Sequence, residues 1–146
     1  MKLLSCLILS ILVSLLIISC KTEKKEYKPH QPIQRNELEV SIKRGNDIYS
    51  NFCISCHLPN GKGVKNIYPP LSDSDYLKNN RDASIKGLKY GLKGEIIVNG
   101  TKYNSFMPPM GLGDDEIADV MNYINHSWGN KYGKIVTVEE VRKIKK

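Results

Sequence analysis

The sequence predicts an all-α domain with one short β-hairpin, and three observations support this fold class. Residues 114–127 place apolar side chains along one helix face, and acidic residues at the start of the segment favour a helix N-terminus. Asn99-Gly100, the strongest short signal for a hairpin turn, separates two short segments, residues 95–98 and 101–103. The chain of 146 residues is too short for two hydrophobic cores.

The N-terminal segment is similar to a lipoprotein export signal. Lys2 supplies positive charge, and the apolar run after it is shorter than the roughly 20 residues of a spanning helix. The run ends in Ile17-Ile18-Ser19-Cys20, a sequence similar to a bacterial lipobox. We therefore expect residues 1–19 to be a signal peptide and Cys20 to carry lipid on the periplasmic side of a membrane. The alternative is an uncleaved signal anchor, which would tether the protein on the same side.

Residues 20–40 are predicted to be a flexible tether, because they are polar and contain Pro29 and Pro32 but few large apolar residues. Residues 41–146 are predicted to form the folded domain, including a helical extension at the C-terminus. The predicted elements of this domain follow in chain order.

The first helix is predicted from Val40 to Phe52, where Ile48, Tyr49 and Phe52 lie at helical spacing. Gly45 in its middle weakens a helix relative to alanine. A residue without a Cβ at this position predicts that another helix packs closely here.

The later elements are predicted by their caps and turns. The sequence predicts a helix over Arg81–Tyr90 that ends at Gly91. Residues 95–103 form the hairpin, and residues 103–110 form a loop that contains two prolines. A capping box at Thr137–Glu140 begins a short terminal helix.

The most specific motif in the chain is Cys53-Ile54-Ser55-Cys56-His57, the attachment signature of a c-type haem. The two thiols add to the haem vinyl groups, and the imidazole of His57 binds the iron as its proximal ligand. A structural zinc site would need four ligands, and the sequence has no second Cys pair to complete one. A thioredoxin-like dithiol should follow a strand, whereas this motif follows a predicted helix. We therefore predict one covalent haem c.

The second axial ligand of the iron should be a sulfur or imidazole side chain from another part of the chain. Met121 lies on the apolar stripe of a predicted helix and is better explained as core. His30 is in the predicted tether, and His126 suits the C-terminal end of a helix. The Met-Pro-Pro-Met loop at residues 107–110 remains, and its prolines would hold a thioether with little loss of loop entropy. Both of its methionines remain candidates at this point.

From about Ser41 to Asn130 the chain resembles the bacterial class I mono-haem cytochromes c. The last part of this region is similar to a subgroup that occurs alone and attached to oxidases, copper nitrite reductases and quinoprotein dehydrogenases. Besides the haem motif, the resemblance rests on Gly45, Tyr49, Gly61-x-Gly63, Pro69-Pro70-Leu71, Gly91-Leu92-x-Gly94, Val98-Asn99-Gly100-x-x-Tyr103, Met107-Pro108 and Ser127-Trp128-Gly129-Asn130.

The resemblance implies a class I cytochrome c fold, in which helices surround one covalent haem. It implies that Met107 is the second axial ligand, with Met110 as the alternative. It also implies that the carbonyl group of Pro69 or Pro70 accepts a hydrogen bond from His57, which would fix the imidazole tautomer and raise its basicity.

The resemblance further implies that the first and last helices of the family cross through Gly45 and Tyr49 against Val120 and Tyr123. This agrees with the close packing that Gly45 predicts by itself. Gly113 stands where relatives carry a serine-like helix cap, so we expect a slightly weaker cap.

An iron with two protein ligands has no open position and exchanges single electrons. We therefore expect a membrane-tethered periplasmic electron carrier that is not an enzyme and makes small contacts with redox protein partners. The alternative is a haem c subunit or docking module of a larger oxidase, reductase or dehydrogenase complex. A peroxidase would need an open iron and a distal acid–base residue, which the sequence does not supply.

The charge of the chain is dispersed and modestly basic, with 22 Lys and Arg against 15 Asp and Glu and a formal net charge of +7. No dense basic block carries interleaved aromatic residues, so nucleic-acid binding has little support. Lysines such as Lys62, Lys65 and Lys102, near the haem segments in sequence, would suit a partner with an acidic docking surface. An ordinary lysine-rich solvated surface explains the same charge.

Overall fold

The structure is a computed structural model that describes the chain from Pro32 to Lys146, with side chains described from Asn36 onward. The predicted signal peptide, Cys20 and the part of the predicted tether before Pro32 lie outside the described residues. No helix in the described part of the chain is long and apolar enough to span a bilayer.

Helices dominate the described residues, and a single antiparallel strand pair interrupts them, so the predicted fold class is confirmed. The elements in chain order are α1 Pro32–Phe52, α2 Ile54–His57, α3 Asp75–Asn79, α4 Arg81–Tyr90, β1 Ile96–Val98, β2 Thr101–Tyr103, α5 Asp114–His126 and α6 Val138–Lys143.

Helix α1 begins at Pro32 instead of Val40, so the prediction of a flexible tether is wrong for residues 32–40. Proline is tolerated in the first turn of a helix, where its missing N–H group would have no partner in any case. The residues that follow include Gln, Arg, Glu and Leu, which are good helix formers, and the first glycine is Gly45. Polar composition alone therefore did not distinguish a solvated helix from a coil.

Helices α1 and α5 cross in close contact at Gly45. A Cβ atom at this position would overlap the carbonyl oxygen of Asp119 and would lie 2.8 Å from the Cβ of Tyr123. One turn further along α1, the ring of Tyr49 packs against Tyr123 with 5.3 Å between ring centroids. Tyr49 and Val120 are both fully buried in the same core. The close packing predicted from Gly45 is therefore confirmed.

Buried polar side chains join the same two helices, and the sequence analysis did not find them. The carboxylate of Asp119 accepts hydrogen bonds from Ser41 Oγ at 2.6 Å and from Arg44 Nη2 at 2.7 Å. Asn122 donates to Ser41 Oγ and to the carbonyl of Val136, and accepts from the Val136 N–H at 2.7 Å. The buried side chains of Ser41, Asp119 and Asn122 thus all have hydrogen-bond partners, as burial of polar atoms requires.

The predictions of α4 and of the hairpin are confirmed. Helix α4 ends before Gly91, whose φ is +81°. In the hairpin Ile96 pairs with Tyr103, and Asn99 and Gly100 have φ values of +50° and +73°, as a type I′ turn requires.

Side-chain hydrogen bonds attach the hairpin turn to the region of α3. The Asn99 amide accepts from the Asp75 N–H at 3.0 Å and donates to the carbonyl of Asp73 at 2.9 Å. Helix α3 itself was not predicted, although Ser74 caps it by accepting a hydrogen bond from the Leu77 N–H at 3.3 Å. The cap at Ser74 could be recognised in the sequence, but a helix of five residues is too short to show a helical period of apolar residues.

Helix α5 begins with half of a capping box. The N–H of Gly113 donates to the Glu116 carboxylate at 2.8 Å. Glycine has no side chain with which to return a hydrogen bond to the helix, so the weaker cap expected at this position has a clear structural cause.

The C-terminal extension is tied to α4 by an ion pair and by hydrogen bonds from α4 side chains to four backbone carbonyls, those of Lys134, Ile135, Val141 and Ile144. Thr137 Oγ1 caps α6 by accepting from the Glu140 N–H at 3.2 Å, which is one half of the predicted capping box. The Glu140 carboxylate pairs with Arg81, with Nη2–Oε2 at 2.8 Å. Arg81 also donates to the carbonyls of Lys134 and Ile135. The Arg81 guanidinium holds the pKa of Glu140 below its usual value, and this effect outweighs the burial that would raise it.

Replacing Gly45 by alanine should lower the free energy of unfolding by about 1–3 kcal/mol, because the new Cβ must push α1 away from α5. The control Asn46→Ala changes an exposed residue on the same helix and should alter the free energy by less than about 0.5 kcal/mol. Guanidinium unfolding of the holoprotein, followed by circular dichroism, measures both. Equal stabilities of the two variants would contradict the close helix crossing.

Replacing Glu140 by glutamine should destabilise the protein by about 1 kcal/mol at pH 7. The folded pKa of Glu140 is depressed, so the stabilisation is fully present above the unfolded pKa of about 4.3 and is lost as pH falls through the lower folded pKa. The stability difference between wild type and variant should therefore be constant from pH 7 to roughly pH 5 and shrink in more acidic solution.

The matched control is Glu139→Gln, which removes an exposed carboxylate 3.7 Å from Arg142 and should have little effect at any pH. Urea unfolding at pH 7, 5 and 3 compares the three proteins. A Glu140→Gln difference that stays the same at all three pH values would mean that the ion pair with Arg81 does not stabilise the extension.

Candidate functional site

The described residues surround an apolar cavity of about 330 Å³. Every predicted binding residue in the described part of the chain lies on its wall. The lining comes from the haem motif, the proline segment after it, α3 to α5, the hairpin and the loops that flank the hairpin: Cys53, Cys56, His57, Pro69, Pro70, Leu77, Leu88, Leu92, Val98, Tyr103, Met107, Met110, Met121 and Ile124.

Helix α1 delivers the two cysteines to the cavity. The Cys53 N–H donates to the Tyr49 carbonyl at 2.9 Å, and the short helix α2 then brings Cys56 and His57 to the same wall. Both thiols are free. Burial, with a smaller contribution from the neighbouring Cys56, raises the pKa of Cys53 to about 11, so this thiol is protonated at neutral pH.

The imidazole of His57 is held by one backbone carbonyl. Its Nδ1 lies 3.0 Å from the carbonyl oxygen of Pro69, so Pro69 makes this contact and Pro70 does not. A carbonyl oxygen can only accept, so Nδ1 carries the proton and the lone pair of Nε2 is left for a metal. Burial lowers the pKa of His57 more than the Pro69 carbonyl raises it, which favours the neutral imidazole that ligation requires.

The loop after His57 folds back onto the proline segment, and this explains the Gly61-x-Gly63 pattern. The Gly63 N–H donates to the His57 carbonyl at 3.0 Å, and the Gly61 carbonyl accepts from the Leu71 N–H at 2.7 Å. Both glycines have positive φ, and a Cβ at Gly63 would lie 2.6 Å from the carbonyl oxygen of Pro69. A side chain at Gly63 would therefore displace the group that orients His57.

The backbone of Met107 is fixed by pairing with Leu92. The Met107 N–H donates to the Leu92 carbonyl at 3.0 Å, and the Leu92 N–H donates to the Met107 carbonyl at 2.8 Å. A Cβ at Gly91 would lie 2.8 Å from the Met107 carbonyl oxygen, so this pairing also depends on a glycine. Sequence analysis missed the role of Leu92, whose only signal was its place in the resemblance.

The other candidates for the second axial ligand differ in whether they line the cavity. Met110 lies on the cavity wall together with Met107. Met121 is 1% exposed and belongs to the core, although its side chain also reaches the cavity. His126 is not part of the lining, and its Nδ1 lies 2.9 Å from the Asn122 carbonyl. His30 lies outside the described residues.

The chemistry of the cavity wall fits a covalently attached haem. Two free thiols, a neutral imidazole with an available Nε2 and the thioethers of three methionines line one apolar space. The predicted lysines are placed differently, since Lys62, Lys65 and Lys102 are exposed and none of them lines the cavity. Lys102 instead pairs with Glu95 at 3.0 Å.

The fold and the site together define a small helical haem-binding protein with a single attachment motif. The family model for cytochrome c matches residues 42–128, which is more than half of the chain. The chain belongs to the cytochrome c family, as the resemblance predicted, and its cofactor is haem c. It is therefore an electron carrier or the c subunit of a larger complex.

Several known proteins are similar to this chain. Cytochrome c-552 of Thermus thermophilus is 40% identical over 117 residues, which cover 74% of this chain and 78% of the relative. The cytochrome c subunit of the quinone alcohol dehydrogenase of Gluconacetobacter polyoxogenes is 29% identical over 69% of this chain. The cytochrome c subunit of gluconate 2-dehydrogenase of Pantoea cypripedii is 28% identical over 77%. The matches cover 22% and 28% of these two subunits, respectively.

Proposed function

We propose that the protein is a membrane-tethered periplasmic cytochrome c that carries single electrons between redox proteins. In this proposal His57 and Met107 ligate the haem iron, and Cys53 and Cys56 attach the haem. The observation that carries the proposal is that His57 and Met107 line one apolar cavity while backbone hydrogen bonds fix the main chain at both residues.

The protein groups divide the work of binding and orientation. Cys53 and Cys56 would hold the haem through thioether bonds, in which each S–H adds across a vinyl group and no atom is lost. His57 offers Nε2 because Pro69 occupies Nδ1. When bound, the haem supplies an iron that changes by one electron between its ferrous and ferric states.

The cavity wall supports electron exchange without substrate binding. Leu77, Leu88 and Ile124 are buried and line the cavity, so they exclude water from the bound group. A thioether from a loop that is held by Leu92 would close the position at which a small ligand could bind. Few groups would need to rearrange when the charge of the site changes, which suits rapid transfer.

Two exposed aromatic side chains mark where the cavity meets solvent. Phe52 and Phe106 are 47% and 65% exposed, and both also line the cavity. A redox protein that docks at this mouth would approach the bound group closely through a small apolar contact. The positive net charge of the chain would favour a partner with an acidic surface.

The second candidate function is a haem c subunit or docking module of a larger dehydrogenase, oxidase or reductase complex. The similarity to cytochrome c subunits of two dehydrogenases favours it. The matches cover 78% of cytochrome c-552 and 22% and 28% of those two subunits. A partner that stays bound through purification from membranes would favour the second candidate.

Visible spectra of the holoprotein test the proposed ligands. Wild type should be low-spin in both oxidation states and should not bind carbon monoxide when reduced. Met107→Leu should become high-spin and bind carbon monoxide, because leucine keeps the volume but removes the sulfur. The matched variant Met110→Leu should have the wild-type spectrum.

Each other result has a definite meaning. If Met110→Leu opens the iron and Met107→Leu does not, then Met110 is the ligand. Carbon monoxide binding by the wild type would contradict the proposal that two protein ligands close the iron site. It would instead favour an enzyme or a protein that binds small ligands.

Replacement of Cys20 by alanine tests the tether in cells that make the full chain. Wild type should incorporate labelled palmitate and sediment with membranes, whereas Cys20→Ala should lose the label and the lipid anchor. Cys6→Ala, inside the predicted signal peptide, is the matched control and should behave as wild type. A wild-type protein that sediments with membranes but carries no label would indicate an uncleaved signal anchor instead.

A further inference from the structure

The backbone directly after His57 is strained. Leu58 has a φ of +64° and a ψ of +160°, a conformation that is essentially restricted to glycine. Among the described non-glycine residues, three others with positive φ, Asn66, Asp73 and Asn99, are of types that tolerate it. Trp128, with a φ of +53°, is the second bulky exception besides Leu58. Strain of this kind persists only where surrounding groups enforce it.

Leu58 and Trp128, the two strained residues, belong to one cluster of hydrogen bonds and packed aromatic rings. The indole N–H of Trp128 donates to the carbonyl of Pro59 at 2.9 Å, and the Tyr49 hydroxyl donates to the carbonyl of Leu58 at 2.7 Å. The Trp128 ring covers Gly61, where a Cβ would lie 2.5 Å from a ring carbon. The rings of Tyr49 and Trp128 pack together with 5.1 Å between centroids.

The segment held in this way supports the proposed proximal ligand from behind. Leu58 follows His57 in the chain, and Gly63 donates its N–H to the His57 carbonyl. Gly61 accepts from the segment that follows Pro69, and the Pro69 carbonyl orients the His57 imidazole. A movement of Leu58 would therefore shift the backbone of His57 and also, through Gly61, the Pro69 segment that orients the imidazole.

We propose that Tyr49 and Trp128 are positioning residues for His57, which hold the strained Leu58–Pro59 turn and thereby set the orientation of the imidazole plane. Neither side chain lines the haem cavity, so both act through the backbone. The inference rests on the proposed role of His57 as an iron ligand. It assigns a function to the two donors that goes beyond the packing of α1 against α5.

The test compares single-donor deletions in the full-length holoprotein. Tyr49→Phe and Trp128→Phe each remove one donor and keep an aromatic ring. The matched control Tyr90→Phe removes a hydroxyl that donates to the Ile144 carbonyl at 3.1 Å and does not line the cavity. The readouts are the hyperfine-shifted haem-methyl resonances of the ferric protein, which report the orientation of the imidazole plane, and the midpoint potential. Tyr49→Phe and Trp128→Phe should change both readouts, and Tyr90→Phe should change neither.

A double-mutant cycle separates positioning from packing. Leu58→Gly removes the strain, so the effect of Tyr49→Phe on the haem-methyl spread should fall at least twofold in that background. Unchanged spectra in Tyr49→Phe and Trp128→Phe, equal changes in Tyr90→Phe, or additive effects of Tyr49→Phe and Leu58→Gly would each overturn the proposal. If Trp128→Phe yields no folded holoprotein, Tyr49→Phe, which loses only one oxygen atom, decides the question.

The spectrum of the wild type keeps this test apart from that of the proposed function. A wild type without a low-spin, histidine-ligated haem would overturn the proposed function. A low-spin wild type whose variants show unchanged resonances would overturn only the positioning role of Tyr49 and Trp128.

Discussion

The contact between α1 and α5 at Gly45 is the constraint on which the other parts of the molecule depend. Because no side chain separates the two helices there, Tyr49 can reach both Tyr123 and the turn after His57. The same helix α1 continues directly into the haem motif. The position of the thiols relative to the core is therefore set by one helix crossing, and a displacement at Gly45 would be transmitted along α1 to the cavity.

The sequence was most informative where the determinant is local. The haem motif, the Asn99-Gly100 turn and the cap at Gly91 each depend on a few adjacent residues, so they could be predicted from spacing and residue type. The buried Asp119 network could not, because a charged residue in a helix gives no sign of the partners that will reach it from α1. The pairing of Leu92 with Met107 is similar, since an isolated backbone contact leaves no period in the sequence.

The two sides of the cavity are supported by the same kind of device. In each case a glycine allows a backbone carbonyl to approach closely: Gly63 beside Pro69, and Gly91 beside Met107. The Pro69 carbonyl orients the imidazole of His57, and the backbone pairing with Leu92 fixes Met107. Main-chain hydrogen bonds thus fix the backbone positions from which the His57 imidazole and the Met107 thioether extend. The apolar side chains between them provide a dry space for the cofactor. This division explains why so few polar side chains are needed at the site.

The attachment of the hairpin turn to α3 also bears on the chemical durability of the protein. Asn-Gly sequences deamidate readily because the backbone nitrogen of an unhindered glycine can attack the neighbouring amide side chain. In this protein the oxygen and the nitrogen of the Asn99 side chain are both engaged, by Asp75 and Asp73. The amide must leave both partners before it can rotate toward Gly100. The folded state therefore protects the side-chain amide of Asn99 against deamidation, and this protection ends when the turn opens.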